Sequence, residues 1–569
     1  MNYIPLSDKE NDYYNTLNET NVQFLRRRYN RVNRWVVADL VGRSAYRYPD
    51  KMALIYRDMT LTYQELEEEC NRVANALIDL GIEKYDRVAI LARNTIDHVL
   101  TWLGTAKAGG VYLAINYLLR GKDIAYCINH SESKVLIVED ALYDLVKDVL
   151  HEMPTVKTLI WSRQGFGEEA PEGFRDFSAW YSSYPATEPE VELNIEDPVQ
   201  MTYTSGTESL PKGVILTNQA LLAEYTSCII DGEYTPEDVN VNALPIYHCA
   251  QRDVFLTPAL MVGATNVLIM SADPKQIMDN IVQHRATMFF APPTVWIGLL
   301  RHPEFDHYDL SSVVKGYYGA SIMPVEVLKE IVKRLPNCQK FYNYYGQTEL
   351  GPYHTMLRPA DMIRKPGSAG KAGLNMQTQL EDEEHQPILE VGRSGEICGR
   401  GPHTMLLYFK DPEKTERALA HRWFHSGDIG IYDEEQYITV MDRKKDMVKT
   451  GGENVPSREV EEVIYTDNRV SEVAVVGLPH GKWMEAVTAL VVSKLGAVMT
   501  EDEIIQLCRR NLPAFKVPKG VVFLAELPKT PSGKILKRDL RNKYADFFAQ
   551  NKGSVSVLDI AIDSLVNEK

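Results

Sequence analysis

"TYQELEEECNRVANALIDLGIEKYDRVAILARNTIDHVLTWLGTAKAGG", residues 62–110, shows how this chain is built. Its first part carries apolar residues at helical spacing and stops at Gly81. "DRVAILA" (86–92) then reads as a buried strand, and 97–110 as a second helix ending in glycine. The short β-rich runs "SKVLIVED" (133–140), "VKTLIW" (156–161), "TNVLIM" (265–270) and "ATMFFA" (286–291) also lie between helical segments. Strands alternating with helices predict an α/β fold, with largely parallel sheets covered by helices.

After about residue 375 the pattern changes. "SGEICGRG" (394–401), 427–443 and "DMVKTGGENV" (446–455) are short strands broken by turn residues, a β-rich subdomain. From residue 457 the order helix, strand, strand, helix predicts a small α+β domain. The reading places a large N-terminal domain at 1–442, a hinge at 443–446 in "DRKKD", a small mobile domain at 447–550 and a tail at 551–569. The basic run "FLRRRYNRVNRW" (24–35) reads as a solvated helix face.

The chain has 569 residues, enough for two to four domains, with 44% hydrophobic and 25% charged residues. A net charge of −16 argues against nucleic acid as partner, and any polyanionic substrate needs local positive groups. Seven scattered cysteines without a C-x-x-C pair fit a reducing compartment and argue against a disulfide framework or a zinc site. The polar start is unlike a signal peptide, and the longest apolar runs are broken by Pro, Gly and Asn. A cytoplasmic protein without a transmembrane segment is expected.

"YTSGTESLPKG" (203–213) has the composition of a phosphate loop. Small residues let backbone N–H groups face an anion, hydroxyls add donors, and Lys212 adds charge. It fails the Walker A spacing, because Pro211 and Gly213 replace the second glycine and the metal-binding hydroxyl. Glu208 is the anomaly, a negative charge in the middle of the loop.

The loop resembles the signature of the adenylate-forming superfamily, which includes acyl- and aryl-CoA synthetases, luciferases and peptide-synthetase adenylation domains. Other matches occur in family order, among them "LPIYHCA" (244–250), "YYGAS" (317–321), "YNYYGQTE" (342–349), the long run 423–462 and "PKTPSGKILKRDL" (528–540). The resemblance spans roughly residues 40–545. It implies two steps in one site: a carboxylic acid attacks the α-phosphate of ATP, then a thiol displaces AMP.

The resemblance also implies roles. Thr204, Ser205, Gly206, Thr207 and Lys212 would hold phosphate, with Thr348 on the α-phosphate. Glu349 with Thr204 would hold Mg²⁺. Gly319, Ala320, Ser321, Tyr345, Gly346 and Gln347 would border the nucleotide, with Tyr345 stacked on the base. Asp428 and Arg443 would bind the ribose. Lys534 matches the adenylation lysine, and Lys445 the hinge about which the small domain turns. Lys449, Gly451 and Gly452 would border CoA. His248, with Tyr247, Tyr318 and Gly319, would line the acyl pocket. The neighbours Lys529, Lys537 and Arg538 read as solvated charges, and Arg252 as a candidate partner for a second carboxylate or polar tail.

Two departures from the family pattern are Glu208-Ser209 for Thr-Gly and Gln436 for a turn glycine. Glu208 is expected to point away from the nucleotide. The expected activity is an AMP-forming acyl-CoA synthetase for a medium- or long-chain fatty acid, using ATP, Mg²⁺ and coenzyme A. The alternatives are an aryl-CoA ligase or an enzyme loading a carrier-protein thiol. The sequence leaves a homodimer open.

Overall fold

The computed structural model describes residues 13, 16, 18–165, 169–204, 211–321, 323–494, 496–529 and 535–550. The opening helix–strand–helix unit forms as the pattern predicts. The helix Tyr63–Asp79 begins at a capping box of Thr62 and Glu65, the strand Arg87–Leu91 is buried, and the helix Ile96–Lys107 starts at a Thr95 cap. The first helix is amphipathic and the second is buried almost all round; the sheet is covered on both faces, so the strand reads as a continuous apolar run.

Among the described residues the strands form four sheets. An eight-stranded sheet has Arg87–Leu91 near its centre, flanked in parallel by Val111–Ala114 and Val135–Glu139. Pro198–Thr204 adds in parallel to Val111–Ala114, and Lys212–Thr217 and Leu407–Tyr408 follow as antiparallel edge pairings. A nine-stranded sheet runs parallel through Met52–Tyr56, Thr265–Leu268, Val239–Asn242, Met288–Phe290, Lys315–Gly319 and Lys340–Tyr345. Its outer strands are antiparallel.

The β-rich subdomain is a five-stranded antiparallel sheet built on Gln377–Glu381, Gly395–Arg400, Phe424–Tyr432 and Ile438–Arg443. In its 433–437 turn Gln436 has φ +63°, the left-handed conformation for which glycine is the usual choice. The small domain pairs Val470–His480 with Met484–Ser493, adds Gly520–Phe523 in parallel, and carries the helices Ser457–Tyr465 and Glu501–Asn511.

Three sequence expectations change. Arg34 in the basic run is closed off at 6% side-chain exposure between Asp39 and Glu188, so that part of the run is an interior clamp. Lys537 is not solvated: its ammonium lies 2.8 Å from Glu461 and donates to the Ser457 hydroxyl. Lys529 pairs with Glu472, whereas Arg538 is exposed as expected. The tail 551–569 lies outside the described residues.

Candidate active site

Thr204 faces Lys212 across an antiparallel strand pair. Thr217 caps the next helix, Asn218–Asp231. Ser205, Gly206, Thr207, Glu208 and Lys534 lie outside the described residues, so the orientation of the Glu208 carboxylate and the position of the Lys534 amine do too.

Glu349 sits in a short turn, Thr348–Leu350, and is 8% exposed. Burial pushes its carboxyl above the usual range; a hydrogen bond from Tyr408 and the charge of Lys212 oppose this. The Tyr408 phenol donates to Glu349 Oε1 at 2.9 Å, and the Lys212 ammonium lies over the same ring, 4.8 Å from its centroid. Tyr408 thus joins Lys212 to the Glu349 carboxylate. It belongs to no motif in the sequence, and only the pairing of Leu407–Tyr408 with Lys212–Thr217 brings it there.

Thr348 is buried, its hydroxyl 3.1 Å from the thiol of Cys249. The chain next to Cys249 supplies His248, half-buried at the entrance to a π-helical segment, Ala250–Leu256. The Ala250 N–H donates to His248 Nδ1 at 3.2 Å, which makes Nδ1 an acceptor and places the proton of the neutral ring on Nε2. π-Helical turns recur at functional sites because the wide turn re-aims side chains.

The other motif residues converge from separate strands. The Tyr345 hydroxyl donates to Asp428 Oδ2 at 2.7 Å, and Arg443 Nε lies 3.6 Å from Asp428 Oδ1. Gln347 Nε2 reaches the Ser426 carbonyl at 3.2 Å. Gly346 is required by a close approach, since a Cβ there would fall 1.9 Å from the Pro352 carbonyl oxygen. Gly319 is opposite Tyr344 in the sheet, Ala320 has φ +65°, and Ala320 and Ser321 are exposed beside them.

Tyr247 is buried edge-on against Tyr117. Tyr318 is turned into the core, stacked near Phe341 with its hydroxyl 3.7 Å from the Met362 sulfur. Its neighbour Tyr317 faces the other way and meets the π-helical segment through Phe255. The pleat therefore brings Tyr317 to the segment just past His248 and sends Tyr318 elsewhere. Arg252 is also corrected. Fully buried, it is chelated by both oxygens of Asp253 at 3.0 and 2.9 Å, and it donates to the carbonyls of Ile246 and Tyr247. Its charge is spent inside the protein.

Lys445 lies in the turn after Ile438–Arg443; the packing around its ammonium, then the nearby cation Arg443, push it down to about 8. Around this turn, Asp442 accepts both the N–H and the hydroxyl of Ser457 at 2.6 Å, and Arg541 pairs with Asp446 at 2.8 Å. Gly451 and Gly452 form the hairpin turn between Val448–Thr450 and Glu453–Val455 with φ +59° and +89°. The turn itself therefore demands glycine there. Gly451 N–H donates to the Trp483 carbonyl at 2.9 Å, and Lys449 is exposed.

An AMP-binding enzyme family model matches residues 41–409, and the C-terminal domain model of the same enzymes matches 459–534. The chain belongs to the AMP-binding enzyme family. It is an adenylate-forming, AMP-producing acid–thiol ligase of the acyl-CoA synthetase branch. The AMP-binding relatives include a long-chain-fatty-acid–CoA ligase of Bacillus subtilis, 31% identical over 529 residues (87% of this chain, 92% of that one). A feruloyl-CoA synthase of Amycolatopsis is also 31% identical, over 502 residues (88% and 98%). Among solved structures, ATP-bound MatB from Rhodopseudomonas palustris superposes with a TM-score of 0.82 at 28% identity, covering 90% of this chain and 99% of that one. Among the described residues no helix is long and apolar enough to cross a membrane.

Proposed function

We propose that this AMP-binding enzyme activates an apolar monocarboxylic acid, foremost a medium- or long-chain fatty acid, and transfers it to coenzyme A. The observation that carries this reading is the closed Arg252–Asp253 pair. Arg252 is the one Lys or Arg in 247–256, and with its charge taken up by Asp253 this segment has no counter-ion for a second carboxylate. The far end of the segment is apolar and aromatic, with Phe255 stacked on Phe290 at 4.1 Å and packed near Tyr317 and Tyr344. An apolar, aromatic surround of this kind favours hydrocarbon over acetate. The same rings support a second reading, a planar aryl acid, for which offset and edge contacts are favourable.

In this proposal Thr204, Lys212 and the loop residues Ser205, Gly206 and Thr207 bind the ATP phosphates. Tyr345, Gln347 and the 319–321 segment border the base, and Asp428 with Arg443 holds the ribose. Mg²⁺ fits Glu349 and Thr204, because a buried carboxylate and a hydroxyl are hard oxygen donors and Glu349 is destabilised as an anion until a cation pairs with it. The ion would neutralise phosphate charge during adenylation. His248, fixed by Ala250, presents a polar ring at the carboxylate end of the acid. Lys534 would contact the developing charge when the small domain closes, and rotation at Lys445 would exchange it for the Lys449–Gly452 hairpin and admit CoA.

The test is pyrophosphate release and acyl-CoA mass over a panel of saturated fatty acids, cinnamic-type acids, dicarboxylic acids and acetate, with CoA and a carrier protein offered in turn. The reading expects product from fatty acids with CoA. Preference for a dicarboxylate, or product only on the carrier protein, would overturn it.

A further inference from the structure

A second cluster of metal-ligating side chains lies in the β-rich subdomain, on residues too far apart in sequence to form a motif. Cys398 is directly opposite His425 on the neighbouring strand, and Glu381 comes from the strand on the other side. One ligand atom from each of the three lies within 4.8 Å of the other two. We propose that Glu381, Cys398 and His425 form a binding site for zinc, with His385 holding the Glu381 carboxylate from the exposed side.

The distances suit that ion. Zinc bonds of about 2.3 Å to sulfur and 2.0–2.1 Å to nitrogen at a tetrahedral angle separate the two ligands by about 3.6 Å. Cys398 Sγ and His425 Nδ1 are 3.5 Å apart. His385 Nδ1 is 3.4 Å from Glu381 Oε2 and steadies that ligand oxygen from the exposed side. His385 also lies edge-on to His425, 5.1 Å between ring centres. An independent feature is the back of the His425 ring, where Nε2 lies 3.2 Å from the Ala420 carbonyl. A hydrogen bond there fixes the tautomer that turns the Nδ1 lone pair toward Cys398, the arrangement by which proteins orient zinc-bound histidines. Gln379 Nε2 holds Glu381 Oε1 at 2.6 Å, and Oε2 lies 4.0 Å from His425 Nε2.

Cys398 is fully buried and the Glu381 side chain is 2% exposed, whereas His385 is 41% exposed and provides the entry side. His425 Nδ1 also lies 3.8 Å from Glu396 Oε2, a second carboxylate at the edge of the cluster. Binding zinc exchanges the Cys398 proton, and that of His425 where it is charged, for the ion, so that Zn–S and Zn–N bonds form and the protons leave to solvent. Three strands would thereby be tied together, one of which carries Asp428 three residues after His425.

The experiment uses the full-length protein freed of metal by a chelator and titrated with Co²⁺, then Zn²⁺. One Co²⁺ per chain with a near-ultraviolet thiolate-to-cobalt band, displaced by Zn²⁺, is expected. Cys398→Ser should abolish the band, and His385→Ala in its exposed turn should weaken Zn²⁺ binding about tenfold or more. No thiolate band in the wild type, or a band that survives Cys398→Ser, overturns the proposal. If Cys398→Ser does not fold, unchanged Zn²⁺ affinity in both His385→Ala and Glu381→Gln overturns it.

Discussion

The Tyr345 hydroxyl donates to one oxygen of Asp428 at 2.7 Å, while Arg443 lies 3.6 Å from the other. The three residues come from three strands of two sheets, and Tyr345 stays a neutral phenol because burial, then the Asp428 charge, raise its pKa well above the ordinary value. A hydrogen bond to a charged group contributes about 1.5–3 kcal/mol, or roughly ten- to a hundredfold in binding. Asp428→Asn should raise the KM for ATP by about that factor, with Tyr345→Phe at the low end, measured by pyrophosphate release. An unchanged KM in both variants would remove this carboxylate from the nucleotide site.

In the proposed function Tyr408, which donates to Glu349, positions that carboxylate for Mg²⁺. Tyr408→Phe removes the donor but keeps the ring under Lys212, and should cost about 10- to 100-fold in Mg²⁺ affinity, as loss of a partner behind a metal ligand does. Glu349→Gln should lower kcat by ~10²–10³. Activity titrated against Mg²⁺ separates the two, because excess ion should rescue Tyr408→Phe and not Glu349→Gln.

Asp97, in the first turn of Ile96–Lys107, accepts from Ser162 and Gln164, yet burial pushes its carboxyl up to about 6. A folded-state pKa above the unfolded value favours the protonated form. The stability it contributes is therefore full below about pH 4 and lost as pH rises through about 6. Asp97→Asn should stabilise the protein at pH 7.5 by about 1–3 kcal/mol, with the gain vanishing near pH 4. Thermal melts at the two pH values check this; an equal shift at both would refute it.

Asp253→Asn leaves the buried Arg252 charge without its partner and should cost about 3–5 kcal/mol, whereas replacing both with apolar residues should cost far less. Denaturant unfolding measures both. The acid preference of the double variant should match the wild type, since Arg252 does not reach the substrate in the proposed reading.

In Gly452→Ala the side chain meets no atom within 4 Å, but φ +89° strains any L-residue. The strain is about 1–2 kcal/mol, confined to the hairpin turn. Acid-dependent pyrophosphate release should persist while acyl-CoA formation slows; equal loss of both would place the hairpin outside the thioester step.

The alternating helices and strands, the small α+β domain and the motif residues were legible in the sequence, because helical and strand periodicity and turn glycines act over a few residues. Gly346 and Gln347, for instance, are neighbours of Glu349 on any fold. The links between distant segments were not legible. Tyr408 reaches Glu349 only through strand pairing, the pleat chooses Tyr317 over Tyr318, and Lys537 finds Glu461 from another element of the small domain. Nor did Arg252 next to Asp253 say whether the pair would face substrate or close on itself, since burial decides whether a charge can stay unpaired. The sequence alone determined the family of chemistry and the elements that carry it. The tertiary structure decided which side chains face one another, because strand register and desolvation are set by the assembled sheets and by no local run of residues.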